Sequence, residues 1–341
     1  MKGFFLLIMF LCLGATITLS QSFTVRDMIN LSAIQSGNLN NFMVKKGFSL
    51  AYRAPGNDSI TSYIKKIKVI KKDTIPEETI EMYTKKNSKF IILKGLPYSQ
   101  YLDSWESLKK YGFDFDTGED ISKVPSMLFL KANISIELSE EKKDTAEQYS
   151  ITLKERKIPD SINYAEDLLQ FDSHEFLMSY FGKKNVRNDL YYFSESDLKK
   201  CSVLFGGTDY QAVFVWGNEN SFTNLSYIVI SNVIPTTGNN RKGVPGANNE
   251  WKFRKGIQVG MPVTDLLTLN GQDFHIYGNK SNLSFMIKAE KAGKIDFTKT
   301  GIMFYCIYCY NNDIFDQEEV SAEQVAKQNI PLRIFDVILY P

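Results

Sequence analysis

The sequence predicts an α+β protein: tandem units of a short helix followed by an antiparallel β-meander, with the helices packed on one face of each sheet. Three observations lead there. Aromatic residues make up 13% of the chain while only 10 of its 341 residues are proline, a balance that favours strands. Short runs with apolar residues at helical spacing recur, and each is closed by a glycine. Several extended runs rich in β-branched and aromatic residues follow each of them.

Residues 1–20 read as a signal peptide. Lys2 gives a basic start, FFLLIMFLCL (4–13) is the apolar run, and Thr18 and Ser20 precede a cleavage point before Gln21. That run is short of the ~20 residues needed to cross a bilayer. Cys12 follows Met9-Phe10-Leu11, which lacks the small residues of a lipid-attachment site. The expectation is a periplasmic or secreted protein. The polar joint KIPDSIN (157–163) then separates an N-terminal domain, 21–158, from a C-terminal one, 159–341.

In the first domain NLNNFMVKKG (38–47) predicts a helix with Leu39, Phe42 and Met43 inward and Gly47 at its end. Phe48 to Ala54 and SYIKKIKVIKK (62–72) read as extended, and TIEMYTKK with KFIILKG (79–95) as a hairpin. Pro97 suits the first turn of a second helix, where Tyr98, Tyr101, Leu102, Trp105 and Leu108 form one stripe before Gly112. FDF (113–115), SMLFLKANISIEL (126–138) and YSITLKERK (149–157) follow as strands. KKGF and KKYGF echo each other, with Gly47 and Gly112 separated by 65 residues (112 minus 47).

In the second domain HEFLMSYFG (174–182) is the helix. DLYYF (189–193) is a strand, and YQAVFVWG (210–217) pairs with NLSYIVIS (224–231) in a hairpin. Gly206-Gly207 reads as a turn between a helix and a strand. The Gly-, Asn- and Pro-rich segment 235–250 is a long loop. PVTDLLTLN (262–270) forms the next helix, closed by Gly271. DFHIYG, NLSFMIKA, GKIDF and GIMFYCIYCY alternate as strands, before a helix at 321–329 and a final strand in PLRIFDVILYP.

Charge and motifs exclude several functions. Without Lys2 the chain holds 39 basic residues (40 minus 1) against 39 acidic ones, so no basic field for nucleic acid exists. HExxH, calcium-loop, GxxxxGK[ST], GxGxxG and GxSxG patterns are all missing, so neither metal nor cofactor is expected. Of the two histidines, His174 sits in FDSHEF, where Asp172 or Ser173 reads as a helix N-cap with His174 and Glu175 in the first turn. His275 stands between Phe274 and Ile276, on the opposite strand face. It is a candidate binding residue.

Trp251, beside the polar loop, is the candidate exposed anchor. Lys65 and Lys68 alternate with apolar residues and read as a solvated edge strand or as a surface for an acidic partner. Cys201, Cys306 and Cys309 are disulfide candidates once Cys12 is removed. In an extended strand Cys306 and Cys309 would stand ~10 Å apart, beyond the ~7 Å a disulfide tolerates. A bond between them needs a bend; one to Cys201 is the rival. Asp-Ser/Thr-apolar triplets at Asp58, Asp73, Asp144 and Asp160 resemble an O-glycosylation sequon.

The pattern Gly260-Met261-Pro262-x-x-Asp265-Leu266-Leu267-x-x-Asn270-Gly271, followed by strands, resembles envelope lipoproteins of the BamE/SmpA type. It is also similar to the tandem repeats of β-lactamase inhibitor proteins. No proline follows Gly271 or Gly182, and the lipid-bearing cysteine is missing. The wider stretch 256–278 resembles secreted proteins of Gram-negative bacteria. The resemblance implies a fold used for protein contacts and no chemistry. The expected function is therefore an exported non-catalytic protein that binds a protein or glycan in the cell envelope. The alternative is a secreted hydrolase using His275 with Asp273 or Asp265.

Overall fold

A computed structural model describes residues 23–53, 60–65, 78–115, 126–143, 146–194, 197–231, 249–306, 309 and 312–341. The expected signal segment, Lys68, the loop over 235–248 and the triplets at Asp58, Asp73 and Asp144 lie outside the described residues. The chain is α+β with mostly antiparallel sheets and few helices. It forms two compact units that part, in the main, after Lys157.

The first unit opens with a helix that the apolar spacing did not announce, α1 (Val25–Ala33). Thr24 and Asp27 start it: the Asp27 N–H donates to the Thr24 hydroxyl at 3.2 Å, and the Thr24 N–H donates to the Asp27 carboxylate at 3.0 Å. This reciprocal box satisfies two backbone donors that a helix start otherwise leaves open. α2 (Ser36–Lys45) follows, then β1 (Ser49–Arg53), β2 (Thr61–Lys65), β3 (Glu78–Lys85) and β4 (Ser88–Leu96). α3 (Tyr98–Lys110) leads into β5 (Asp114–Phe115), β6 (Ser126–Lys131), β7 (Ile134–Lys143) and β8 (Ala146–Arg156).

These strands form one sheet in the order β1-β2-β3-β4-β8-β7-β6-β5. Residues 126–138, expected as a single strand, divide into β6 and β7. The chain turns back at Ala132, whose φ of 50° is left-handed. α2 and α3 end alike: the Phe48 N–H donates to the Met43 carbonyl at 3.0 Å and the Phe113 N–H to the Leu108 carbonyl at 3.1 Å. Gly47 and Gly112 sit at positive φ within these caps, where a side chain would be strained. The buried residues explain the layering. Met28, Leu31, Met43 and Leu108 from the helices pack with Ile80, Ile91, Leu93, Ile136 and Ile151 on one sheet face.

The second unit begins with a 3-10 turn (Ala165–Gln170) and α4 (His174–Phe181). Ser173 caps α4 by accepting the Phe176 N–H at 3.2 Å. β9 (Val186–Ser194), β10 (Asp197–Leu204), β11 (Ala212–Asn218) and β12 (Thr223–Ile230) run as a meander. α5 (Val263–Asn270), β13 (His275–Tyr277), β14 (Lys291–Ala292), β15 (Ile295–Asp296), β16 (Thr300–Tyr305), β17 (Glu319–Ser321), α6 (Ala322–Lys327) and β18 (Arg333–Leu339) complete it. The main sheet has the order β16-β18-β12-β11-β10-β9, with β13–β17 and β14–β15 as separate ribbons.

Three sequence expectations change here. Gly206-Gly207 joins two strands, β10 and β11, because the lysine-containing run before it is extended. The apolar run 282–289 pairs through isolated bridges at Met286 and Ile287 only. Trp251 is not exposed. It belongs to the core with Phe176, Phe214, Leu266 and Phe274, and its indole N–H donates to the Tyr210 carbonyl at 2.7 Å. A large amphipathic ring with a satisfied N–H is stable in a core, and neighbouring polar residues do not draw it out.

Candidate binding surface

His275 lies on β13 with its side chain 46% exposed. Its Nδ1 is 3.2 Å from Glu290 Oε1, which also accepts the His275 N–H at 2.9 Å. The carboxylates expected beside it are engaged elsewhere. Asp273 accepts the Ser321 hydroxyl at 2.5 Å and the Glu323 N–H at 3.0 Å, so it caps α6. Asp265 stays in the first turn of α5, where the Thr264 hydroxyl donates to it at 3.3 Å. The structure therefore replaces the expected His275–Asp pair with His275–Glu290. Glu290 is 15 residues away, and the sequence pattern gave no sign of it.

Lys65 is buried, which corrects its placement on a solvated edge. β2 has neighbours on both sides, β1 and β3. The Lys65 ammonium lies 3.7 Å from the buried Glu78 carboxylate and over the Phe48 ring. Burial pushes the Glu78 carboxyl above its usual range, against the opposing pull of Lys65. This pair is part of the protein interior and presents no charge to a partner.

The cysteines divide by location. Cys306 and Cys309 are joined by a disulfide with their Cα atoms 5.5 Å apart. That separation is inside the ~7 Å a disulfide tolerates, and both cysteines follow the end of β16 at Tyr305. Cys201 is a buried free thiol on β10, and burial pushes it up to about 12. At such a value the thiolate that reacts is scarce.

The other histidine also serves the interior. His174 Nδ1 and Trp216 Nε1 each lie 2.8 Å from the Ser202 hydroxyl oxygen. Ser202 is fully buried, so this Ser–His contact offers no nucleophile to a substrate. Burial lowers the His174 pKa.

What remains accessible is the sheet face of the first unit that points away from its helices. Strand register lines up Ser62, Glu81, Ile92, Thr152 and Glu137 in one row across five strands. A second row runs Ile64, Thr79, Lys94, Ser150 and Ser139. Lys94 bridges the rows to Glu81 at 2.9 Å, and Tyr83 stacks on Phe90 with centroids 4.8 Å apart. Nearly all of these side chains are partly exposed. They alternate with the core residues because successive side chains on a strand face opposite ways.

Among the described residues no group of three or more His, Cys, Asp or Glu is placed to hold a metal ion. None of the described helices is long and apolar enough to cross a membrane. No family model, curated protein or solved structure matches the chain.

Proposed function

We propose that the chain is an exported, non-catalytic binding protein that engages a protein or glycan of the cell envelope through the open sheet face of its first unit. The observation that carries this reading is the ordered double row of partly exposed side chains on that face. Backbone ladders fix its geometry, so little side-chain or loop ordering is needed on docking. Its mixture of aromatic, hydroxyl and paired charged groups suits a polar interface with an aromatic anchor at Tyr83 and Phe90. The first unit is read as two related halves, α2 with β1–β4 and α3 with β5–β8. Their matching helix ends support that reading.

Crosslinking in the native cell, followed by identification of the attached molecule, tests the proposal. Tyr83→Glu on the sheet face is expected to abolish the crosslinked species, while His275→Ala leaves it intact. Purified protein that captured nothing from an envelope extract, yet turned over a substrate in a His275-dependent way, would remove this reading.

A further inference from the structure

At one end of the first sheet, the turn between α1 and α2 and the ends of β1–β4 enclose a cleft of about 580 Å³. Among the described residues that line it, Arg53 and Lys89 are the charged ones, and both are cationic; Tyr83 lines it as well. Hydroxyls of Ser36, Thr61 and Thr84 line it too, and Leu39 and Met82 supply apolar wall.

Lys89 is held in place from behind. Its ammonium donates to the Ser32 carbonyl at 2.6 Å and to the Leu31 carbonyl at 3.3 Å, at the C-terminal end of α1. An ammonium has three donors, so one remains after these two. The helix end favours a cation there and fixes it without a carboxylate. Glu155, the register partner of Lys89 on β8, acts on it only at longer range than an ion pair.

The cleft also receives the start of α2, a helix of 10 residues whose N-cap, Gln35, makes no side-chain capping bond. Ser36 and Gly37, its first two residues, line the cleft and their amides receive no side-chain acceptor from Gln35, while the Asn38 N–H donates to the Gln35 carbonyl at 2.9 Å. A Cβ built on Gly37 would meet nothing within 4 Å, so the approach to these amides is open. Two cations, three hydroxyls and a helix start around one cavity all favour negative charge, and the apolar wall favours a hydrocarbon body.

We propose that this cleft binds a carboxylate carried on an apolar body, with the anionic head between Arg53 and Lys89. Two sources share that chemistry, a free organic acid and the C-terminus of a peptide. Tyr83 lines the cleft and also belongs to the sheet face, so the variants that test this proposal leave Tyr83 in place and their failure is distinguishable from that of the sheet-face reading.

Calorimetric titration of the full chain with octanoate, octanol, acetyl-Ala-Ala-Leu and its C-terminal amide tests the assignment, with amide NMR shifts to locate binding. Octanoate or the free-acid peptide is expected to bind and to shift the Ser36 and Gly37 amides. Octanol and the peptide amide should bind at least roughly tenfold more weakly. Octanoate binding with no binding of the peptide assigns a small organic acid; tighter peptide binding assigns a chain terminus. Arg53→Gln, an exposed position, should weaken binding roughly tenfold or more. Gly37→Leu fills the cleft from a helical position with open space, so it should keep the fold, checked by thermal unfolding, and eliminate binding. Equal binding of octanol and octanoate, or unchanged binding by either variant, overturns the proposal.

Discussion

The Ser202 hydroxyl lies 2.8 Å from Nδ1 of His174, deep in the second unit. The same oxygen accepts the Trp216 indole N–H at 2.8 Å, so one hydroxyl serves both rings. Ser202→Ala leaves the indole donor without its acceptor and is expected to cost roughly 1–3 kcal/mol in denaturant unfolding.

The pH dependence of that region follows from His174. Its folded pKa lies below 6.5 because burial disfavours the imidazolium. The unfolded chain thus binds the proton more readily, and stability falls as pH drops below 6.5. Unfolding midpoints measured between pH 5 and 8 should show this slope, and His174→Gln should flatten it. An unchanged slope in the variant counts against the assignment.

The start of α1 should respond to acid in a separate range. Burial raises the Asp27 carboxyl, but Lys46 at 2.8 Å and the bonds from Thr24 outweigh it and hold the pKa below 3.8. Its contribution is present above pH 3.8 and disappears as pH falls through the folded value. Asp27→Asn should remove this acid sensitivity. Thr24→Ala should cost about 1 kcal/mol at neutral pH.

Cysteine chemistry gives a readout by mass. In the folded chain Cys201 should resist iodoacetamide, and in denaturant its peptide should gain one label. The loop closed by Cys306 and Cys309 is so short that replacing both by serine should cost only about 2 kcal/mol on the chain-entropy account. Fast labelling of Cys201 under native conditions would contradict its burial.

Gly278 is predicted to be among the least replaceable of the described glycines. A Cβ there would stand 2.6 Å from the Phe315 carbonyl oxygen and closer still to that of Gln317, both rigid backbone. Gly278→Ala is expected to destabilise by roughly 3 kcal/mol or more, read as a lowered thermal midpoint.

Local signals made most of the helices readable. Glycines closed α2, α3, α4 and α5 where the sequence placed their ends, and of the two cap candidates, Asp172 and Ser173, it is Ser173 that caps α4. α1 escaped because its apolar residues follow the signal-like segment closely, although Thr24-x-x-Asp27 is a capping-box pattern that marks it. β10 escaped because Lys199 and Lys200 interrupt its apolar alternation, and tertiary packing overrode that local polarity. The candidate sites were harder to read. The partners of His275, Lys65 and Trp251 are set by strand register and chain return, over separations that composition and spacing do not encode.

The sheet order of the first unit also has a consequence in time. Within each half, successive strands pair with the next in the chain, but β4 and β8 join residues far apart in sequence. Ser88 meets Arg156 and Leu96 meets Tyr149, separations of 68 (156 minus 88) and 53 (149 minus 96). Neighbouring hairpins close quickly, whereas this seam must bring together two preformed halves against a much larger loop entropy. The seam is therefore where the folding rate of the unit is set. Until it closes, β4 and β8 are two unpaired edges, the stage at which the newly made chain is most open to association with its own copies.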